Sequence, residues 1–134
     1  MVELASVYAD RALTVKEISE HQNLSPKYLE QILSPLKSAG LVKAVRGVHG
    51  GYTLKKSPSQ TTLLEIFRAL EGNPLLVECL ESKESCPTDG HCPTQPLWAE
   101  IKESIEKILE STTLADLLAR WRAGKQSNSD LYQI

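Results

Sequence analysis

The sequence predicts a mainly α-helical chain with one small β-wing: a winged helix-turn-helix followed by a long dimerisation helix. Three observations point there. Two helix starts, Thr14 with Glu17 and Ser25 with Pro26, flank a short Asn23-Leu24 turn. A glycine-rich stretch, Arg46 to Gly51, separates two short β-prone runs. Further on, Trp98, Ile101, Ile105 and Ile108 recur at steps of three, four and three, the spacing of a coiled-coil-like seam.

The chain opens inside an apparent helix, with Met1, Val2, Leu4, Ala5 and Tyr8 on one apolar face and no capping residue ahead of them. Thr14 followed by Glu17 three residues on is a capping-box signature, so a helix is expected over Val15 to Gln22. Ser25 then caps a second helix whose first position suits Pro26, because the missing N–H has no partner there. Leu29, Ile32, Leu33 and Leu36 form its buried stripe, and Gly40 closes it. Pro35 removes one hydrogen bond to the carbonyl of Gln31, and a kink is expected there rather than an end. Leu41 to Val45 and Tyr52 to Leu54 read as strands around the wing.

Thr61 or Thr62 is placed to cap a helix running through Ala69, ended by Gly72 and Pro74. The segment Cys79 to Pro96 carries Pro87, Gly90, Pro93 and Pro96 and is expected to be a loop. A long helix is expected from Leu97 to Ser111, and Thr112 or Thr113 caps a final one carrying Leu114, Leu117, Leu118 and Trp121. The expected organisation is a DNA-binding unit over 1–74, a cysteine segment over 75–96, the dimerisation and C-terminal helices over 97–123, and a polar, flexible tail over 124–134.

With 41% hydrophobic and 24% charged residues, the composition is that of an ordinary globular protein. No apolar run approaches the ~20 residues of a membrane helix. No charged n-region followed by an apolar stretch opens the chain, so it reads as cytoplasmic. The net charge of −2 conceals an asymmetry. Between Thr14 and Lys56, seven bases (Lys16, Lys27, Lys37, Lys43, Arg46, Lys55, Lys56) face three acids (Glu17, Glu20, Glu30). That stretch is therefore +4 and the remainder −6. A basic segment inside an acidic chain points to a local polyanion-binding face; by charge alone, a merely solvated surface stands about even with it.

The outer face of the second helix offers Lys27, Tyr28, Glu30, Gln31, Ser34 and Lys37. Lys and Gln hydrogen-bond base edges in a major groove, and Glu accepts from the cytosine amino group. Ser25, Lys27 and Tyr28 lie where a helix N-terminus holds phosphates. The wing adds Arg46, suited to the negative potential of a narrow minor groove, with Gly50 and Gly51 allowing close backbone approach. His49 at its tip is a weaker candidate for a phosphate contact. The histidines His21, His49 and His91 lie in separate segments, and no catalytic constellation or phosphate-binding loop is present, so the chain is not expected to be an enzyme.

All three cysteines, Cys79, Cys86 and Cys92, fall in one short segment. An odd number does not form a complete disulfide framework, and in a reducing compartment such a cluster is metal-binding or redox-active. The absence of Cys-x2-Cys pairs favours an iron–sulfur cluster, [2Fe–2S] or [4Fe–4S], over zinc. A fourth ligand is not evident. His91 is a local candidate, disfavoured because a sequence neighbour of Cys92 points away.

Taken together, Ser25-Pro-Lys-Tyr-Leu-Glu-Gln-Ile-Leu, Leu36-Lys-Ser-Ala-Gly-Leu-Val, Val45-Arg-Gly and Gly50-Gly-Tyr closely resemble the Rrf-type bacterial regulators. That family includes an iron–sulfur cluster assembly regulator, a nitric-oxide-sensing repressor and a cysteine-metabolism repressor. The resemblance runs from Met1 to about Trp121 and implies a homodimer on double-stranded promoter DNA, joined through the long helix. It also implies a short segment ahead of Met1 that helps complete the DNA-binding unit. By the resemblance, Ser25, Lys27, Tyr28, Glu30 and Gln31 meet DNA and Arg46 enters the minor groove. Cys79, Cys86 and Cys92 stand where cluster-binding members carry their cysteines. Gln95 stands where the cluster assembly regulator has a histidine, so that ligand role does not carry over.

Three functions fit these features. The first is a dimeric transcription regulator sensing iron–sulfur status, redox state or nitric oxide through a cluster. The second is a cluster-free, thiol- or partner-controlled repressor of the same family. The third is a small iron–sulfur redox or carrier protein that does not bind DNA.

Overall fold

The computed structural model describes residues 1–74, 77–81 and 91–131, the side chains of 128–131 excepted. Eight elements appear in these stretches: α1 (Val2–Ser6), α2 (Val15–Gln22), α3 (Pro26–Ser38), β1 (Val42–Val45), β2 (Gly51–Leu54), α4 (Leu63–Glu71), α5 (Gln95–Ser111) and α6 (Leu114–Leu131). Short 3₁₀ turns occur at Pro58–Gln60 and Glu78–Leu80. The second lies inside the stretch expected to be a loop.

Local chemistry sets most of the helix starts. Thr14 Oγ1 accepts the Glu17 N–H at 3.1 Å, and Glu17 accepts the Thr14 N–H at 2.8 Å. Ser25 Oγ accepts the Tyr28 N–H at 3.2 Å, and α3 then runs past Pro35 to Ser38. Its end is a Schellman closure: Gly40 donates to the Lys37 carbonyl and Leu41 to the Leu36 carbonyl, each at 3.0 Å. Of the two candidate threonines, Thr62 caps α4, reciprocally with Glu65. Thr61 is fully buried and donates its hydroxyl to the Ser57 carbonyl.

β1 and β2 form a two-stranded antiparallel sheet in which Val42 faces Leu54 and Val45 faces Gly51. Leu13 adds a bridge to Tyr52, with both backbone hydrogen bonds made (2.9 and 2.7 Å). The core gathers Leu4, Ala5, Leu13, Ile18, Leu29, Leu33, Leu36, Leu41, Val42 and Leu54 with Leu114 and Leu118 of α6. A second bridge, Thr62 to Thr113, ties the start of α6 to the start of α4. It is flanked by Leu63 donating to Thr112 and Leu114 donating to Thr61. No described helix is long and apolar enough to cross a membrane.

Three expectations are corrected. α1 ends at Ser6, short of Tyr8, and Ala9 takes a left-handed conformation at φ 69°. α5 starts at Gln95 rather than Leu97, because Pro96 is accommodated in a first helical turn. The stretch after Gly124, read as a flexible tail, continues α6 as helix to Leu131. One interior glycine costs a helix only about 1 kcal/mol relative to alanine. Around it the Lys125 ammonium lies 3.8 Å from the Trp121 ring centre, and Ser127 Oγ donates to the Ala123 carbonyl.

Candidate nucleic-acid interface

α2 and α3 pack against one another across a turn in which Asn23 adopts the left-handed conformation and Leu24 donates to Ser19. Burying Leu29, Leu33 and Leu36 leaves the opposite face of α3 to solvent. Ser25, Lys27, Tyr28, Glu30, Gln31, Ser34 and Lys37 are all exposed there, as the helical spacing predicts. α3 also packs on β1, which runs directly into the wing. The exposed polar face of α3 and Arg46 therefore belong to adjoining segments of one unit.

The charge on this unit is available to a ligand. Lys16 and Lys56 are engaged by Glu20 and Glu65, while Glu17 is engaged by Arg11. Lys27, Lys37, Lys43, Arg46 and Lys55 have no ion-pair partner among the described residues. Five cations without internal partners, on and beside one helix-wing unit, favour a polyanion over a merely solvated face. The Glu17 carboxyl is held at about 2 by the Thr14 backbone and Arg11 hydrogen bonds, so it stays ionised and keeps Arg11 occupied.

The wing's glycines answer first to the chain itself. A Cβ on Gly51 (φ +142°) would stand 2.3 Å from the Leu13 carbonyl oxygen, and one on Gly50 would stand 2.5 Å from that of Val45. Close approach is thus demanded at both positions, by this chain's own backbone.

The sequence reading missed the contribution of the segment before α2. The Leu13–Tyr52 bridge brings it to the wing, where Asp10, Arg11 and Ala12 share a shallow surface pocket with Val45, His49 and Thr53. A long-range bridge of a single residue leaves no periodic signal. The only hint was an isolated Leu13 ahead of a capping box.

Of the cysteines, Cys79 lies in the Glu78–Leu80 turn, which packs on α5. Cys92 lies just before α5, its Sγ 3.1 Å from Thr94 Oγ1. Both are partly buried. Cys86, with Pro87 and Gly90, lies outside the described residues. Among the described residues, no three His, Cys, Asp or Glu side chains are gathered into a metal site. Two soft thiol donors on segments that meet one helix suit an iron–sulfur group in kind, though they do not complete it. His91 is exposed, and Gln95 is the first residue of α5.

Residues 1–120 match the family model of Rrf2, described as an iron-dependent transcriptional regulator. The chain is a member of the Rrf2 family. As such it is a DNA-binding transcription regulator built on a winged helix. It is 41% identical over 126 residues to the HTH-type transcriptional regulator CymR of Bacillus subtilis, covering 94% of this chain and 86% of that one. It is 36% identical over 134 residues to the HTH-type transcriptional regulator IscR of Yersinia pseudotuberculosis, covering 100% of this chain and 76% of the other. Among solved structures it is similar to CymR (YrzC), the global cysteine regulator of B. subtilis. That match has a TM-score of 0.77 and 39% identity, covering 89% of this chain and 87% of the other.

Proposed function

We propose that this Rrf2 regulator is a cytoplasmic homodimeric repressor that places the α3 of each subunit in successive major grooves of a partly palindromic promoter site. Ser25, Lys27, Tyr28, Glu30 and Gln31 make the groove and phosphate contacts, and Arg46, carried by the Gly50-Gly51 wing, enters the minor groove. The exposed polar face of α3, beside a wing whose arginine has no internal partner, carries this reading.

Dimerisation falls to α5. None of its residues is buried, and Leu97 and Ile108 are 54% and 64% exposed on a helix that carries an apolar seam. A second copy of the same seam is the occupant that the 3–4 spacing favours.

Control is assigned to Cys79, Cys86 and Cys92, which would hold an iron–sulfur cluster with a fourth ligand from elsewhere. Such a group supplies sensitivity to iron supply, oxidants and nitric oxide when bound. Cys79 and Cys92 sit on segments that meet α5, so a change in their order biases the helix that sets the spacing of the two winged units. A shift requires the two states to differ in stability. The similarity to the global cysteine regulator favours a second reading, in which the same thiols act without a cluster.

The spectrum of protein purified without oxygen, with iron and sulfide assayed, separates the two. A visible band that is lost in Cys92→Ala, together with altered promoter affinity, supports the cluster reading. Colourless, iron-free protein that resists reconstitution overturns it in favour of thiol control.

A further inference from the structure

The wing presents a side chain that the charge argument leaves unused. Val48 is 98% exposed, whereas the next most exposed large apolar residue among the described residues, Ile108, is 64%. It stands at the apex of the hairpin, in a turn closed by the Gly50 N–H donating to the Gly47 carbonyl at 3.0 Å. Exposed Arg46 and His49 lie on either side of it in the chain. Gly47 (φ +111°) has no atom within 4 Å of where a Cβ would be, so the tip is thin on that side. The result is an apolar point on a narrow hairpin with cationic or titratable groups at its shoulders.

Resting on the DNA-binding reading above, we infer that Val48 is a specificity-determining residue that the wing inserts into the minor groove. There its isopropyl group packs against deoxyribose and the floor of A·T pairs, while Arg46 satisfies the flanking potential. A minor groove ~6 Å wide admits a branched aliphatic tip, and A·T pairs lack the guanine amino group that would block it. Apolar wedges flanked by basic residues are a general device of minor-groove readers. Valine suits it because a β-branched side chain has little rotamer freedom to lose on insertion. Nothing in the chain's own packing requires an apolar residue here.

The test uses a labelled duplex selected by the wild-type protein from a random-sequence pool, titrated by fluorescence anisotropy at several salt concentrations. Val48→Ser should weaken binding roughly five- to tenfold, the scale of losing part of one buried aliphatic side chain, with an unchanged salt slope. Substituting 2,6-diaminopurine for adenine in the flank adds a minor-groove amino group, and should weaken the wild type while leaving Val48→Ser little affected. Val48→Ser should melt like the wild type. Wild-type binding that Val48→Ser matches on both duplexes overturns this inference alone. A wild type without salt-dependent binding to any duplex overturns the DNA-binding reading and this inference with it.

Discussion

The winged unit and α5 solve the problem of apolar surface in opposite ways. From Leu4 to Leu64, leucines, isoleucines and valines close over one another, with Leu114 and Leu118 of α6 completing the core. α5 is nearly as long as α6, yet none of its residues is fully buried. Its contacts are with α4, including the Arg68–Glu106 ion pair at 3.5 Å, and with the turn that carries Cys79. The difference separates two tasks. The winged unit packs its apolar side chains against one another within the described chain, whereas α5 presents a face that a second chain can fill. The Thr62–Thr113 bridge ties the end of α5 back to the winged unit, so a shift of α5 has a short route to α3 through α4.

Truncation in the core gives the largest expected effect. Leu36→Ala, at a residue 2% exposed behind the recognition face, should lower unfolding stability by about 2–5 kcal/mol in a denaturant titration. A loss well below that range would mean that the winged unit is not the closed core described. Ile108→Asp on α5 should leave the fold of the single chain nearly unchanged but shift sedimentation equilibrium from dimer to monomer. A fully dimeric variant would move the interface off this seam.

The smallest effect is acid-dependent and falls on the capped helices. Hydrogen bonds accepted at a helix start hold the carboxyls of Glu17 and Asp116 below the usual range, Glu17 at about 2. Glu65 is lowered first by the hydrogen bond from Lys56 and then by that from Thr62. Their folded values lie below their unfolded ones, so their contribution is present above the unfolded range and is lost as pH falls through the lowered values, for Glu17 toward about 2. The groups are largely exposed, so the effect is modest and weakens in salt. Thermal melts between pH 5 and 2 should show a gradual fall for the wild type and a shallower one for Glu17→Gln. Equal slopes would leave the capping box without a stabilising role.

What was legible in the sequence was what short-range chemistry decides. Thr14 with Glu17 and Ser25 with Pro26 announce α2 and α3 because a cap and its partner lie within one turn. The face of α3 follows from the stripe it buries. The bounds of the two wing strands were legible to within one residue. Long-range pairing was not: Leu13 on Tyr52, and Thr62 on Thr113, join positions whose local sequences say nothing of each other. The choice of Thr62 over Thr61 as cap turned on that same packing, which buries Thr61. Gly124 misled as a helix stop because a single glycine weakens a helix without ending it. The cysteine cluster was visible as composition, but among the described residues no three metal-ligating side chains come together, so short-range sequence alone did not reveal a role for it.

The most direct test of the account is the salt dependence of duplex DNA binding by the wild type and by Lys27→Ala with Arg46→Ala. A steep linear fall of log affinity with log salt is expected in the wild type, by about −0.9 per phosphate contact. The double variant should bind more weakly with a slope shallower by at least about one such contact, and its loss should be greatest on A·T-rich flanks. A wild-type affinity indifferent to salt, or a double variant with the same affinity and slope, would contradict the assignment of DNA recognition to α3 and the wing.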